Sequence, residues 1–161
     1  MPPVEIKPNV HWIGVNDRTS DLFEGMWPIT QEGISYNTYL INDEKNAIID
    51  LSRSLKTDEF LDQIHQIVDL SDLDYVIINH MEPDHSGVLR TLRRVIPDVT
   101  ILGTKKTKDM LEAFYGVSEH VQIVDDGDTL SLGDRTLRFV HTPFVHWPET
   151  MMTYLEDEEI L

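Results

Sequence analysis

The chain has 161 residues, a formal net charge of −16 and no cysteine. Without cysteine it forms no disulfide bonds, zinc ribbons, iron–sulfur clusters or thiol nucleophiles, so any metal would be bound by histidine and carboxylate side chains. The negative charge disfavours nucleic acids and anionic membranes as partners, and the lack of a secretory signal or of a ~20-residue apolar run favours a cytoplasmic protein.

Predicted strands dominate the first half of the chain, with one helix among them. Apolar and alternating runs predict strands at residues 10–15, 35–41, 46–51 and 75–79. A helix over residues 58–69 is predicted because its apolar side chains recur on one face.

Helices and then hairpins are predicted for the second half. Ser86 is expected to cap a helix that Pro97 ends, and a helix from Thr107 to Phe114 is expected to end at Gly116. Further strands are predicted at residues 100–102, 121–124, 129–132, 136–141 and 151–155. This order predicts one domain in which helices pack on a sheet, in an α/β or α+β layered architecture.

Four side chains that can bind a metal follow the strand at residues 75–79: His80, Glu82, Asp84 and His85. His80 and Glu82 lie two positions apart, so they point to the same side of an extended backbone. Asp84 and His85 could face a neighbouring position where the chain turns into a helix. Two pairs of ligands indicate two metal ions. The alternative is a polar loop that caps a helix, whose N-terminus favours acids.

A second histidine cluster, from His141 to Pro148, follows the strand at residues 136–141. Because it also comes at a strand end, it is expected at the same edge of the sheet. Either histidine could complete the first metal's ligand set. His146, which follows the turn at Pro143, is preferred, and His141 is expected to have a structural role or to support a ligand.

Together these motifs resemble those of flavodiiron proteins. The pattern His-x-Glu-x-Asp-His, followed much later by His within Thr-Pro-Phe-Val-His-Trp-Pro, is similar to theirs, and the resemblance includes residues 35–41 and 48–50. Zinc hydrolases of the same superfamily carry His where this chain has Glu82. The resemblance implies a partial metallo-β-lactamase-like αββα sandwich over residues 1–161. It also implies that the bridging aspartate, the last histidine and the flavodoxin-like domain of the family lie outside this chain.

The resemblance implies that one iron is held by His80, Glu82 and His146, and the second iron by Asp84 and His85. The carboxylate at Glu82 independently favours iron over zinc, because replacing an imidazole makes the site harder and more negative.

The implied activity is reduction of dioxygen to water, or of nitric oxide to nitrous oxide, by two Fe ions that receive electrons from FMN. It is expected of a longer protein, and the 161 residues alone are expected to be inactive. Expected partners are a donor such as rubredoxin, reduced deazaflavin or a flavin reductase, and further copies in a homodimer or tetramer. Phe23, Trp27 and Trp147 are candidates to line the pocket, with core packing as the alternative. Two other functions stay open: a diiron oxygen sensor without turnover and a zinc-dependent hydrolase.

Overall fold

Apolar side chains alternate between the two faces of the central strands, and this alternation builds a layered fold. The computed structural model describes residues 2–161. The strands of this part of the chain are β1 (Val4–Lys7), β2 (Val10–Trp12), β3 (Val15–Asp17), β4 (Leu22–Phe23), β5 (Trp27–Pro28), β6 (Ile34–Tyr36), β7 (Tyr39–Ile41), β8 (Asn46–Ile49), β9 (Leu73–Ile77), β10 (Thr100–Gly103), β11 (Val121–Ile123), β12 (Thr129–Ser131), β13 (Thr136–His141) and β14 (Met151–Leu155). The α-helices are α1 (Thr57–His65), α2 (Pro83–Ser86), α3 (Leu89–Val95) and α4 (Lys105–Tyr115).

Two sheets lie face to face. The larger sheet has the order β1-β2-β7-β8-β9-β10-β11, and the smaller has the order β12-β13-β14. Strands β8 to β11 run parallel to one another, whereas the pairs from β1 to β8 and those of the smaller sheet are antiparallel. Two short antiparallel ribbons, β3–β6 and β4–β5, lie outside these sheets.

The core is divided between the two faces of the larger sheet. In β9, Val76 packs in a cluster with Phe60 of α1 on the helical side. The next residue, Ile77, packs in a second cluster with Phe139 of β13, between the sheets. All four side chains are fully buried. Because successive strand residues point to opposite faces, a continuous apolar strand fills both clusters at once. The predicted α+β layering is therefore confirmed.

Both of the longer strands predicted near the N-terminus are interrupted. Residues 10–15 form β2 and β3, and residues 35–41 form β6 and β7. Gly14 lies at the first interruption, where a Cβ atom would come within 2.3 Å of the Tyr36 carbonyl oxygen. The chain changes partner here, since β2 pairs with β7 whereas β3 pairs with β6.

The predicted helix boundaries need two corrections. The helix expected over residues 58–69 ends at His65, because the Ile64 carbonyl accepts hydrogen bonds from both Ile67 and Val68 and closes the last turn. Ser86 is the last residue of α2 and not an N-cap, since its Oγ donates to the Met81 carbonyl. Gly116 ends α4 with a left-handed φ of 67°, as predicted. No helix among residues 2–161 has the length and apolar character needed to cross a membrane.

Candidate metal centre

The predicted ligands lie at one edge of the larger sheet, where parallel strands end. Strands β8 and β9 are neighbours, so Asp50 and the segment from His80 to His85 leave the sheet at the same edge. The loop between β13 and β14 reaches this edge from the smaller sheet. Asn79 connects the two, because its carbonyl accepts a hydrogen bond from Met151 N (3.1 Å) and its Oδ1 accepts one from Thr153 Oγ1 (2.7 Å).

The local sequence explains how the segment after β9 is shaped. Glu82 has extended backbone angles (φ −60°, ψ 148°), and Pro83 begins α2 at a helical position that needs no N–H donor. Gly87 allows this short helix to pack closely, because a Cβ there would lie 2.7 Å from Ser54 N. The ligand-bearing turn is therefore held against the loop that follows β8.

One group of donors is formed by His80, Glu82 and His146. The Nε2 atom of His80 lies 3.0 Å from Glu82 Oε2, and His146 Nε2 lies 3.2 Å from the same oxygen. One donor atom from each of the three residues lies within 4.8 Å of the others. The expectation that His80 and Glu82 point to the same side is confirmed.

Asp84 and His85 form an adjacent pair. Their Oδ2 and Nε2 atoms are 3.5 Å apart, and the His85 ring centroid lies 5.2 Å from that of His80. Asp84 Oδ1 is buried and has no hydrogen-bond partner among residues 2–161. The five predicted ligands thus lie as a group of three and a neighbouring pair, and their assignment to two metal ions stays a prediction.

Two further carboxylates contact the predicted histidine ligands, and sequence reasoning assigned a role to neither. Glu149 Oε1 lies 2.7 Å from His80 Nδ1, and Asp50 Oδ2 lies 3.1 Å from His85 Nδ1. Asp50 could have been found from its place directly after the apolar strand β8. Glu149 could have been found as an acid next to the buried start of β14, three positions after His146.

Charge and burial together set the electrostatics of this edge. Burial raises the pKa of Asp84, and the Glu82 carboxylate adds to the rise, although His85 opposes it. Burial by itself would lower the pKa of His85, but the hydrogen bond to Asp50 and the charges of Asp50, Asp84 and Glu82 raise it to about 9. Positive charge is therefore favoured at this position.

The residues present fit metal ions. The donors are imidazole nitrogens and carboxylate oxygens, a set that suits iron and also permits zinc. The unpartnered, buried Asp84 Oδ1 is an oxygen that a cation would satisfy. Both histidines at the sheet edge, His80 and His85, have Nδ1 engaged by a carboxylate and Nε2 directed at a predicted ligand.

The aromatic candidates are placed differently from one another. The Trp147 ring centroid lies 5.0 Å from that of His80, beside the predicted ligands. Phe23 packs near Tyr36, with ring centroids 6.5 Å apart, and Trp27 is 63% exposed. His141 has a structural contact, since its Nε2 lies 3.1 Å from the Val124 carbonyl oxygen.

Comparison with known proteins agrees with this arrangement. The sequence profile of the ODP family beta lactamase matches residues 34–161. The chain belongs to this family. The resemblance to flavodiiron proteins and the metallo-β-lactamase-like fold are thereby confirmed, with helices, larger sheet and smaller sheet as the layers described above.

Three similar proteins show how closely this ODP-family chain matches longer relatives, and over how much of their length. It is 41% identical to the anaerobic nitric oxide reductase flavorubredoxin of Salmonella typhi, over 97% of this chain and 33% of that protein. The flavodiiron protein of Giardia intestinalis is 36% identical, with a TM-score of 0.89 over 96% of this chain and 38% of its own. Rubredoxin oxygen:oxidoreductase of Desulfovibrio gigas is 32% identical, with a TM-score of 0.91 over 97% of this chain and 39% of its own. The chain therefore spans well under half the length of these relatives.

Proposed function

We propose that this chain carries the ligands of a diiron site in an oxidoreductase that reduces dioxygen to water or nitric oxide to nitrous oxide. The observation that carries the proposal is the convergence of His80, Glu82 and His146 on a common position, with donor atoms within 4.8 Å of one another. The names of the relatives support it, since they include a nitric oxide reductase, a flavodiiron protein and an oxygen oxidoreductase.

The five side chains have distinct tasks in this proposal. His80, Glu82 and His146 would hold the first iron, while Asp84 and His85 would hold the second. The carboxylates supply negative charge that favours a hard cation, and the imidazoles supply neutral nitrogen ligands. When bound, the two irons would supply electrons to a diatomic substrate.

Trp147 and the loop that carries it would shelter the site. Its ring lies edge-on to His80, with an interplanar angle of 85°. A large apolar side chain at this place excludes water from one side of the ligands, and electrostatic interactions are stronger where water is excluded. Trp147 would therefore help to keep the ligand set dry and correctly oriented.

In this proposal, the remaining parts of the activity belong to a longer protein that contains this chain, as in the relatives, which are more than twice its length. FMN would deliver the electrons, solvent would deliver the protons, and a donor such as rubredoxin, reduced deazaflavin or a flavin reductase would reduce the flavin. One relative is named as an oxidoreductase for rubredoxin and oxygen, which supports a donor of this kind. A homodimer or tetramer and a cytoplasmic location stay predictions.

Metal binding by the chain, purified without oxygen, tests the proposed site directly. We expect Fe(II) to bind, and we expect Glu82→Ala and His146→Ala to weaken this binding at least tenfold. Loss of a residue that only supports a metal ligand already lowers metal affinity about 10–100-fold, and these two residues are proposed as ligands themselves. Glu119→Gln changes an exposed acid outside the site and serves as the control. Equal Fe(II) affinity in all four proteins would contradict the proposal.

Turnover separates reduction from the two alternatives. Iron-loaded protein that also contains the flavodoxin-like domain should consume nitric oxide or dioxygen when its FMN is reduced, and Glu82→Ala should abolish this consumption. Reversible oxygen binding without consumption would instead indicate a sensor. Zinc-dependent hydrolysis of a thioester by the wild-type chain, lost in His146→Ala, would indicate a hydrolase.

A further inference from the structure

Glu149 is a buried acid, and among residues 2–161 His80 is its one salt-bridge partner. It is 1% exposed, and its Oε1 both contacts His80 Nδ1 at 2.7 Å and accepts a hydrogen bond from Met81 N at 2.9 Å. Its second oxygen, Oε2, is buried and has no hydrogen-bond partner among residues 2–161. Burying a carboxylate is costly unless charge and hydrogen bonds compensate it. The contact with His80 is thus the main compensation for this carboxylate.

The contact determines which nitrogen of His80 is available. A carboxylate accepts hydrogen bonds but donates none, so the imidazole must donate from Nδ1 to Glu149. The other nitrogen, Nε2, is directed at Glu82 Oε2, 3.0 Å away, where the donor atoms of His146 also converge. The ring is therefore oriented with Nδ1 toward Glu149 and Nε2 toward Glu82 and His146, so Nε2 is the nitrogen that would meet a metal.

The surroundings hold Glu149 itself in place. The Glu149 carbonyl accepts a hydrogen bond from Thr104 Oγ1 at 3.2 Å, and Thr104 is the N-cap of α4. The side chain of Glu149 reaches from the β13–β14 loop to the backbone N–H of Met81, which follows β9. Because both ends are anchored on rigid elements, the carboxylate is preorganised for His80.

We propose that Glu149 is a positioning residue for the metal site: it holds His80 with Nε2 toward the metal and strengthens that nitrogen as a ligand. This inference rests on the proposed function, since it requires a metal at His80. A carboxylate that accepts from the outer nitrogen of a ligating histidine raises the basicity of the ligand, and loss of such a partner commonly lowers metal affinity 10–100-fold. If Glu149 instead had a purely structural role and only anchored Met81 N, Glu149→Gln would leave the metal affinity unchanged.

Two substitutions separate these roles. Glu149→Gln preserves the shape and the carbonyl oxygen that accepts from Met81 N, but it removes the charge. We expect it to weaken Fe(II) binding about tenfold while the urea midpoint changes little, and we expect Glu149→Ala to weaken binding about 10–100-fold. Glu119→Gln, a matched change at an exposed position, should leave the affinity unaltered.

A spectroscopic readout tests the orientation of the ring without activity. In the zinc-loaded chain, used because Zn(II) is diamagnetic, long-range ¹H–¹⁵N NMR should show His80 protonated at Nδ1 and metal-bound at Nε2. In Glu149→Ala the Nδ1 proton should exchange faster with water. Coordination through Nδ1 would overturn the inference.

The result for the metal site and the result for Glu149 can be told apart. If wild-type protein binds neither Fe(II) nor Zn(II), the proposed function fails, and this inference fails with it. If wild-type protein binds metal and Glu82→Ala weakens binding at least tenfold, the site stands. Affinities of Glu149→Gln and Glu149→Ala within about twofold of wild type would then overturn the inference alone.

Discussion

The Nδ1 atom of His80 lies 2.7 Å from Oε1 of Glu149, although the two residues are 69 positions apart in the chain. His80 follows a strand of the larger sheet, whereas Glu149 belongs to a loop of the smaller sheet. The candidate metal centre is therefore assembled where the two sheets meet, and its geometry depends on how firmly they pack. The same dependence applies to His146, which approaches Glu82 from the same loop.

Packing between the sheets can be tested at Phe139. Its side chain is fully buried in the cluster between the sheets, so truncation leaves a cavity. We expect Phe139→Ala to lower the free energy of unfolding by about 3–5 kcal/mol, measured by urea denaturation. Phe144→Ala is the matched control, because Phe144 is 76% exposed and its loss should change stability by less than about 0.5 kcal/mol. Similar effects of both substitutions would contradict the assignment of the second cluster.

The connection between the sheets can be tested at Thr153. Its Oγ1 donates to Asn79 Oδ1 at 2.7 Å. Thr153→Val keeps the shape of the side chain but leaves the Asn79 oxygen without this donor, which should cost about 1–2 kcal/mol of stability. Thr129→Val, at an exposed strand position, is the control and should be nearly neutral. If thermal unfolding of the two variants shifts equally, the hydrogen bond contributes nothing specific.

Metal preference can be tested at Glu82. Glu82→His replaces a hard, charged oxygen ligand with a neutral imidazole, which should shift preference from iron toward zinc. Competition between Fe(II) and Zn(II) for wild-type and variant chains measures this shift as a change in the ratio of the two affinities. An unchanged ratio would show that the carboxylate does not select the metal.

A buried acid away from the metal centre should make stability depend on pH. Asp17 is fully buried and accepts hydrogen bonds from Thr19 N (3.0 Å), Ser20 Oγ (2.6 Å) and Tyr36 OH (3.2 Å), with Lys56 Nζ 3.6 Å away. Burial alone would raise the pKa of Asp17, but the hydrogen bonds from Ser20 and Thr19 outweigh burial and hold this pKa well below its ordinary value. The ionised form is therefore stabilised by folding.

Because the folded pKa is depressed, the stability that Asp17 provides is complete above its unfolded pKa of about 3.9 and is lost as pH falls toward the folded pKa. We expect Asp17→Asn to cost about 1.5–3 kcal/mol at neutral pH, since it weakens the hydrogen bonds that Ser20 and Thr19 donate to a charged carboxylate. Lys56 keeps Glu59 as an ion-pair partner at 3.2 Å. The difference from wild type should shrink below about pH 4. Asp62→Asn, at an exposed position of α1, is the control. A difference that stays constant down to about pH 2 would contradict the depressed pKa.

Much of the metal centre could be predicted from sequence, because several of its predicted ligands are close together in the chain. His80 and Glu82 are two positions apart at the end of an apolar strand, and the alternation of an extended chain places them on one side. The layered fold was likewise predictable, because the change from strand-like to helix-like periodicity is a property of neighbouring residues.

The rest depended on contacts between residues that are distant in the chain. Both His141 and His146 were candidates from sequence, but only the turn between the strands directs His146 to Glu82 Oε2, at 3.2 Å, while His141 lies beside the Val124 carbonyl oxygen. The partner of His85, Asp50, is 35 positions away, and that of His80 is more distant still. Local periodicity carries no information on such pairs, because they are decided by the packing of one sheet on the other and by the crossovers between parallel strands.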